Sequence, residues 1–264
     1  MMFIFVAAGL LVGSFLNVVL TRLETEESFV SGRSRCDSCR ETIRWYDNIP
    51  VLSHIVLRGK CRYCGVAISR RHLIMELSTA AMFALAGAVF PAASTLSTAL
   101  GLIFVLGMIG VLAVVFVHDL MHMEIPVSVL VFGIVWTVVS LFLIWISASP
   151  AEPFFSSRLW EGIIGGAIAF LLFYSLVFFS DETWMGMGDA WLALILGLAL
   201  GWKLLLPALT LAFGSGAVVG IVLIVLGRKG LQSRIPFGPF LAGSVIVMLI
   251  FGTIIGNAFG YFLI

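Results

Sequence analysis

Long runs without a charged residue dominate this chain and restrict the solvent in which it can fold. The run 96–117, for example, contains only apolar residues, Gly, Ser and Thr. Charged residues make up 11% of the chain, against about 25% in a typical soluble domain. Since so few charges cannot cover a surface exposed to water, we predict an all-α protein that crosses a lipid bilayer several times.

Apolar stretches of roughly 20 residues are long enough to cross about 30 Å of hydrocarbon as helices. The sequence contains about eight such stretches, and we predict a transmembrane helix in each: 2–20, 73–90, 96–118, 126–147, 161–179, 189–206, 207–226 and 237–263. The sixth and seventh are hard to separate, because only Trp202, Lys203 and Pro207 interrupt the run. The first stretch lacks a basic start and a cleavage site, so we interpret it as a span rather than a signal peptide.

Basic residues are distributed unequally among the connecting loops. The loops 21–72 and 227–236 carry thirteen Lys and Arg residues, and eight spans would place both loops on one side. The other side has only Arg158 and Lys203. Because cytoplasmic loops are enriched in Lys and Arg, we predict that 21–72 faces the cytoplasm. The net charge of +1 gives no reason to expect a nucleic-acid partner.

Four cysteines form two close pairs in the loop 21–72, Cys36 with Cys39 and Cys61 with Cys64. Two CxxC motifs separated by 21 residues are typical of a four-thiolate zinc site with no open position for water. Such a zinc ion would be structural, because this loop is too small to build much hydrophobic core. Disulfides, free thiols or another metal are the alternatives, and a cytoplasmic location argues against disulfides.

Two aspartates lie at the ends of predicted spans. Asp119 ends the third span, and Asp189 begins the sixth within Gly186-Met187-Gly188-Asp189. The eight-span topology places both at the same depth on the cytoplasmic side. A carboxylate at that depth is costly unless it is paired, hydrated or functional.

Two facing carboxylates can do the chemistry of an aspartyl protease, since one activates a water and the other polarises the peptide carbonyl. We therefore predict Asp119 and Asp189 as a catalytic pair. The adjacent Gly186 and Gly188 would let a peptide backbone approach without a clash. As alternatives, Asp119 could hydrate a helix end and Asp189 could be a helix N-cap.

Other acidic residues rank below this pair. Asp181 and Glu182 lie in the connection before Gly186, farther into water. Glu124 precedes an Ile-Pro dipeptide, where it either lines the site or is solvated. Glu76 lies inside the second span and needs a partner, which a basic residue of the loop could supply.

His118 and His122 flank Asp119 and form the pattern His-Asp-x-x-His. This pattern superficially resembles a set of metal ligands. Because the span ends there, we favour two interfacial histidines over a metal site.

Several segments together resemble the type IV prepilin peptidase family, the GxGD-type leader peptidases of type IV pilus and type II secretion systems. The similarity covers nearly the whole chain and is most specific in the cysteine loop. The segments that carry it are 13–19, 34–76, Asp119, 186–189 and the Ile-Pro-Phe-Gly-Pro-Phe string 235–240. One departure is Val127, where many members have an Asp after the Ile/Leu-Pro.

The resemblance implies a membrane protease with Asp119 and Asp189 as its catalytic residues. It implies a division into a first helix, 1–20, a zinc-binding loop, 21–72, and a transmembrane protease core, 73–264. The residues expected to support the active site are Gly186, Gly188, Glu124, Pro236, Gly238 and Pro239.

The expected partners are type IV prepilins or pseudopilins and membrane lipid, in the bacterial cytoplasmic membrane with the catalytic face cytoplasmic. Members of this family cleave after a Gly that ends a short basic leader, just before an apolar helix. Many also methylate the new N-terminus with S-adenosylmethionine, a cofactor that the resemblance alone implies. A GxGD protease with other clients and a non-enzymatic membrane scaffold are the alternatives.

Overall fold

The computed structural model describes residues 2–25, 34–36, 38–90, 95–148, 154–228, 230 and 235–258. Within these ranges the chain is helical and contains no β-strand, only two isolated β-bridges, which confirms the predicted all-α fold. The helices are α1 (Met2–Thr25), α2 (Leu52–Val56), α3 (Arg70–Val89), α4 (Leu96–His122), α5 (Val127–Ser147), α6 (Arg158–Ser180), α7 (Met187–Val225) and α8 (Gly238–Ala258). Arg33, Lys229, Arg234 and the end of the last predicted span, 259–263, lie outside the described residues.

Six of the described helices are long and apolar enough to cross a membrane: α1, α3, α4, α5, α6 and α7. A seventh, shorter apolar helix covers Gly238–Gly252 within α8. α1, α4 and α6 extend up to five residues beyond their predicted spans, because a helix can continue where its hydrophobic stretch ends, whereas α5 matches its predicted span within one residue. The count of eight spans stays a prediction.

The chain divides into two compact units, Met1–Ala88 and Val89–Ile264. The first contains α1, the cysteine loop and α3, and the second contains α4 to α8. The predicted functional division at 20/21 and 72/73 is a different partition and stays a prediction.

In the first unit α1 and α3 pack antiparallel at backbone contact distance. A Cβ atom added to Gly9 would lie 2.6 Å from the Cα of Ala80, and one added to Gly13 would lie 2.7 Å from the Cα of Glu76. Such contacts require glycine, and small residues let helices approach closely where lipid gives no hydrophobic driving force.

Glu76 joins the cysteine loop to this helix pair. It is 9% exposed, and its Oε2 accepts a hydrogen bond of 2.7 Å from the Val51 backbone N–H. The hydroxyl of Ser14 donates to it as well, while His54 contributes an electrostatic interaction. The expectation of a basic partner was therefore incomplete. Val51 has a φ of +61°, which is rare for a β-branched residue, and the bond to Glu76 helps to hold it there.

In the second unit α6 and the start of α7 are antiparallel and in close contact. A Cβ atom added to Gly165 would lie 2.6 Å from the carbonyl oxygen of Gly197. Near the other end of the pair, the rings of Phe170 and Trp191 lie 4.9 Å apart. The glycines set the distance between the two helices, and the aromatic pair fixes their register.

The helix α7 reverses its direction at Gly201, whose φ of +72° and ψ of +172° are not helical. Gly201 lies beside Glu161, at the start of α6. Phe213 and Phe173 each lie twelve residues farther along α7 and α6, yet their rings are 6.2 Å apart. A straight α7 would separate these rings by roughly 36 Å, at 1.5 Å per residue in two opposite directions. The residues 187–200 and 202–225 therefore form two antiparallel arms, called here the first and second arms of α7.

The turn between the arms differs from the boundary expected at 206/207. Pro207 lies inside the second arm, within two turns of its start, so the Pro does not end a helix. The turn is at Gly201 instead, where φ is positive. The sequence alone did not single out this residue, because it is one of 27 glycines.

The remaining helices complete the second unit around these arms. α5 packs between α4 and the first arm, since a Cβ atom added to Gly133 would lie 3.0 Å from Val111 and 3.1 Å from Ile195. The second arm runs antiparallel to α8, where Gly216 contacts Phe240. As a result, the end of α4 and the starts of α5, α7 and α8 lie at the same end of the unit.

We expect Gly201→Ala to destabilise the protein by about 1–3 kcal/mol, because only Gly readily adopts this backbone region. The added methyl group would also lie 3.2 Å from the Cβ of Glu161. Thermal unfolding in detergent measures the loss. Gly214→Ala is the matched control, since it lies in the helical second arm with nothing within 4 Å of the added Cβ. Equal unfolding temperatures for Gly201→Ala and the wild type would contradict the reversal.

Candidate active site and metal centre

Asp119 lies in the last turn of α4 and is 5% exposed. The helix ends where Met123 adopts a left-handed conformation, φ +56°, and its N–H donates to the Asp119 carbonyl oxygen at 2.8 Å. α4 therefore ends at His122, three residues beyond Asp119. Asp119 is therefore held by regular helix while lying close to the end of the unit.

The start of α8 packs directly on this carboxylate. A Cβ atom added to Gly238 would lie 2.5 Å from Oδ2 of Asp119 and 3.1 Å from its Cγ, so any other residue at 238 would collide with it. The Gly238 N–H donates to the carboxyl group. Among the described residues, Oδ2 of Asp119 is buried without a hydrogen-bond partner. The burial of this oxygen is therefore not offset by a hydrogen bond within the part of the chain that the structure describes.

Asp189 is the third residue of α7, whose N-cap is Gly186. Its carboxylate accepts a hydrogen bond from the Gly186 N–H, as an acid at this position commonly does, and it complements the helix N-terminus. The alternative that Asp189 is itself the N-cap is wrong by three residues. Its side chain is partly exposed.

The structure brings the two aspartates together through Ile125. A Cβ atom added to Gly188, beside Asp189, would lie 3.3 Å from Ile125, and one added to Gly238, against Asp119, would lie 3.2 Å from it. The two carboxylates are close enough to interact electrostatically. Sequence reasoning did not single out Ile125, because an apolar side chain carries no sign that it fills the space between two loops.

The other predicted support residues lie around this pair at different depths. Pro239 is buried at the start of α8, while Pro236 is partly exposed just before the helix. Glu124 is exposed, although its backbone carbonyl has a structural use described below. Val127 is 73% exposed as the first residue of α5.

Both histidines near Asp119 bind backbone carbonyl groups. Nδ1 of His118 donates to the Glu124 carbonyl oxygen at 2.8 Å, and Nδ1 of His122 donates to the His118 carbonyl oxygen at 3.2 Å. The first bond closes the turn between α4 and α5, and the second lies within the last turns of α4. Of the described residues, only the four cysteines group as three or more potential metal ligands, so the structural interpretation of the histidines is favoured.

The four cysteines converge in the loop of the first unit. Their Sγ atoms all lie within 4.8 Å of one another, and those of Cys36 and Cys64 are 3.8 Å apart. A tetrahedral zinc ion with Zn–S bonds of about 2.3 Å requires S–S distances of about 3.8 Å. The donor set and its spacing therefore fit a metal ion, consistent with zinc.

The two CxxC segments have the same local backbone structure. In each, the backbone N–H of the first Cys donates to the carbonyl oxygen of the residue five positions later. Cys36 donates to Glu41, and Cys61 donates to Val66. The residue after the second Cys is left-handed in each, Arg40 with φ +58° and Gly65 with φ +70°. Both turns thus present two sulfurs in the same way.

Backbone hydrogen bonds favour the thiolate form of Cys61. The backbone N–H groups of Cys64 and Tyr63 donate to it and lower its pKa to about 7. A thiolate is the form that binds a metal ion.

Contacts outside the sulfurs also shape the loop. Arg62 donates to both carboxylate oxygens of Asp47, with distances of 2.8 Å and 2.5 Å for the two shortest bonds. The Arg62 guanidinium holds the pKa of the Asp47 carboxyl below its usual range. Arg62 also stacks over the ring of Tyr46 at 5.6 Å. These contacts join the second CxxC turn to the short 3-10 helix Trp45–Asn48.

We expect protein purified without chelators to contain about one metal ion per chain, and Cys36→Ser to lose it, because three thiolates leave the tetrahedron incomplete. Elemental mass spectrometry measures the metal. Ser38→Ala, within the same turn, is the control that should keep it. Metal-free wild type, or equal metal content in Cys36→Ser, would contradict the site.

Comparison with known proteins identifies the family. Residues 7–90 match the profile of the Bacterial Peptidase A24 N-terminal domain, and residues 105–221 match that of the Type IV leader peptidase family. No solved structure matches the chain.

Curated relatives agree with these matches. The prepilin leader peptidase/N-methyltransferase of Myxococcus xanthus is 36% identical over 86% of this chain and 64% of its own length. The type 4 prepilin-like proteins leader peptide-processing enzyme of Escherichia coli O78:H11 is 32% identical over 89% of this chain and 88% of its own. The Bacillus subtilis prepilin leader peptidase/N-methyltransferase is 31% identical over 92% of both. The family predicted from the motifs is confirmed: this chain belongs to the type IV leader peptidase family.

Proposed function

We propose that this chain removes the leader peptide from type IV prepilins or pseudopilins at the cytoplasmic face of the bacterial cytoplasmic membrane, and methylates the new N-terminus. The family match and the names of the relatives support the substrate class and both reactions. The observation that carries the chemistry is the meeting of Asp119 and Asp189 at one end of the second unit, from helices far apart in sequence.

The two carboxylates act as an aspartyl protease pair. Two carboxylates in close proximity share one proton at neutral pH, since both cannot easily be charged. The ionised group takes a proton from a water as it attacks the scissile carbonyl. The protonated group polarises that carbonyl and later helps to protonate the leaving amine. Oδ2 of Asp119, which is buried without a hydrogen-bond partner among the described residues, would accept from this water or, when protonated, donate to this carbonyl oxygen.

The glycines beside the pair leave room for a peptide backbone. Gly186 is exposed, and a Cβ atom added to it would meet nothing within 4 Å. The atoms nearest to a Cβ atom added to Gly188 belong to Ile125, at 3.3 Å and beyond. A peptide can therefore approach Asp189 along the Gly186 side, where the described residues leave open space around Gly186.

Four cysteine thiolates would hold a structural zinc ion in the loop. The methyl donor, S-adenosylmethionine, is supported by the names of the relatives. The sequence has no glycine fingerprint of the dinucleotide-binding type, and no residue is assigned to the donor.

A central test is mass spectrometry of a full-length prepilin incubated with the purified protein and S-adenosylmethionine. We expect leader loss and one added methyl group with the wild type. Asp119→Asn and Asp189→Asn should each lower the cleavage rate at least 1,000-fold. In each variant only one carboxyl group is left, and it cannot act as acid and base at the same time. Glu161→Gln is the control. Glu161 lies at the start of α6, at the end of the unit away from the two aspartates, where it pairs with Lys203.

The outcomes distinguish the alternatives. Cleavage by both aspartate variants at the wild-type rate would mean that the catalytic pair is wrong. A well-folded wild type that cleaves no prepilin would instead favour a protease with other clients or a non-enzymatic scaffold.

Three exposed acidic residues at the same end of the unit, Glu124, Asp181 and Glu182, provide a negative surface for a basic leader. Neutralising all three as amides should raise KM for a basic-leader prepilin by roughly threefold to tenfold at low salt, with little change in kcat. Added salt should reduce the difference, because it screens exposed charges.

The control for this effect is a prepilin with an uncharged leader, for which the triple variant and the wild type should have equal KM values. An unchanged KM for the basic leader would show that these carboxylates do not attract it.

A further inference from the structure

A long apolar groove lies between the second arm of α7 and α8. Its volume is about 710 Å³. From Leu206 to Val219 the arm extends about 20 Å, at 1.5 Å per residue. The lining residues are Leu206, Pro207, Thr210, Leu211, Gly214, Ser215, Val218, Val219, Val247, Met248 and Ile255.

One end of this groove reaches the depth of the two aspartates. The second arm and α8 are antiparallel, with Leu204 against Gly252 and Gly216 against Phe240. This register places Val219, at the end of the groove, level with the start of α8. Gly238, the first residue of α8, lies directly against Asp119. The Val219 end of the groove therefore lies at the same depth as Asp119.

The chemistry of the lining favours an apolar helix. None of the lining residues is charged. Thr210 and Ser215 use their hydroxyls within their own helix, donating to the carbonyl oxygens of Leu206 at 2.9 Å and Ala212 at 3.1 Å. No lining hydroxyl is left to seek a polar partner. Thr210 and Gly214 form a small-xxx-small pair at the centre of the groove, a pattern that lets a second helix approach closely in lipid.

We propose that this groove seats the apolar helix of the prepilin, the segment that directly follows the scissile bond. The proposal rests on the proposed function, which requires such a helix in the bilayer next to the catalytic pair. A helix lying along the groove would have its cytoplasmic end at the depth of Gly238 and Asp119. The enzyme thus holds both sides of the cleavage point, the leader by exposed carboxylates and the helix by the groove.

The test fills the groove without touching the aspartates. Gly214→Leu places a branched side chain at its centre, where the added Cβ meets nothing within 4 Å. Val218→Phe is a second filling variant at a position that is 62% exposed, so it should fold even if the first does not. Gly101→Leu is the matched control, because its added Cβ also meets nothing within 4 Å but it lies on α4.

We expect both filling variants to raise KM for full-length prepilin at least tenfold while Gly101→Leu leaves it within twofold. A photo-crosslinking amino acid at Leu211, in an Asp189→Asn background that does not turn over, should crosslink to the prepilin helix. Mass spectrometry locates the crosslinked residues.

Unchanged KM values in both filling variants would overturn the proposal. Native mass spectrometry then decides what occupies the groove, since loss of a bound phospholipid in Gly214→Leu would identify it as a lipid site. Crosslinks only to lipid would overturn it as well. Failure of the proposed function is a separate result, namely no prepilin cleavage by the wild type.

Discussion

The contact between α6 and the first arm of α7 positions most of the second unit. The backbones meet at Gly165 and Gly197, a distance that no larger residue permits. This contact fixes the first arm, whose start carries Asp189. The reversal at Gly201 then returns the chain to the same end of the unit, so that the second arm can pair with α8. That pairing places Gly238 against Asp119. A backbone contact between two glycines, far from the aspartates, thus helps to determine how the aspartates meet.

The apolar helices, which occur in both units, and the cysteine loop are held together by different interactions. In the bilayer, apolar side chains gain little by leaving lipid, so glycine contacts and close packing must hold the helices together. The described part of the cysteine loop contains no long apolar helix, and the loop has too few residues for a core. It relies on four sulfurs, on the Asp47–Arg62 pair and on the bond from Val51 to Glu76.

The sequence predicts the helices, the cysteine cluster and the convergence of the two aspartates, because hydrophobicity, CxxC spacing and carboxylates in apolar surroundings are each visible in the residues themselves. Other features depend on backbone geometry. Gly201 lies directly between Leu200 and Trp202, neither of which favours a turn, so Pro207 was the more obvious marker. The partner of Glu76 is a backbone N–H, which every residue but Pro carries, and sequence cannot say which one is close. Ile125 looks like any apolar residue until two loops are seen on either side of it.

The shortness of the first arm of α7 has a consequence for the surrounding lipid. Its fourteen residues, 187–200, span about 21 Å, whereas the hydrocarbon layer is about 30 Å thick. A helix that is too short for its bilayer draws the two leaflets toward each other. We therefore expect the bilayer to be locally thinner next to Asp189, with headgroups and water lying deeper there than around the longer helices. At this thinned region a peptide bond that acyl chains would shield elsewhere could meet water, while the substrate helix that carries it stays in the membrane.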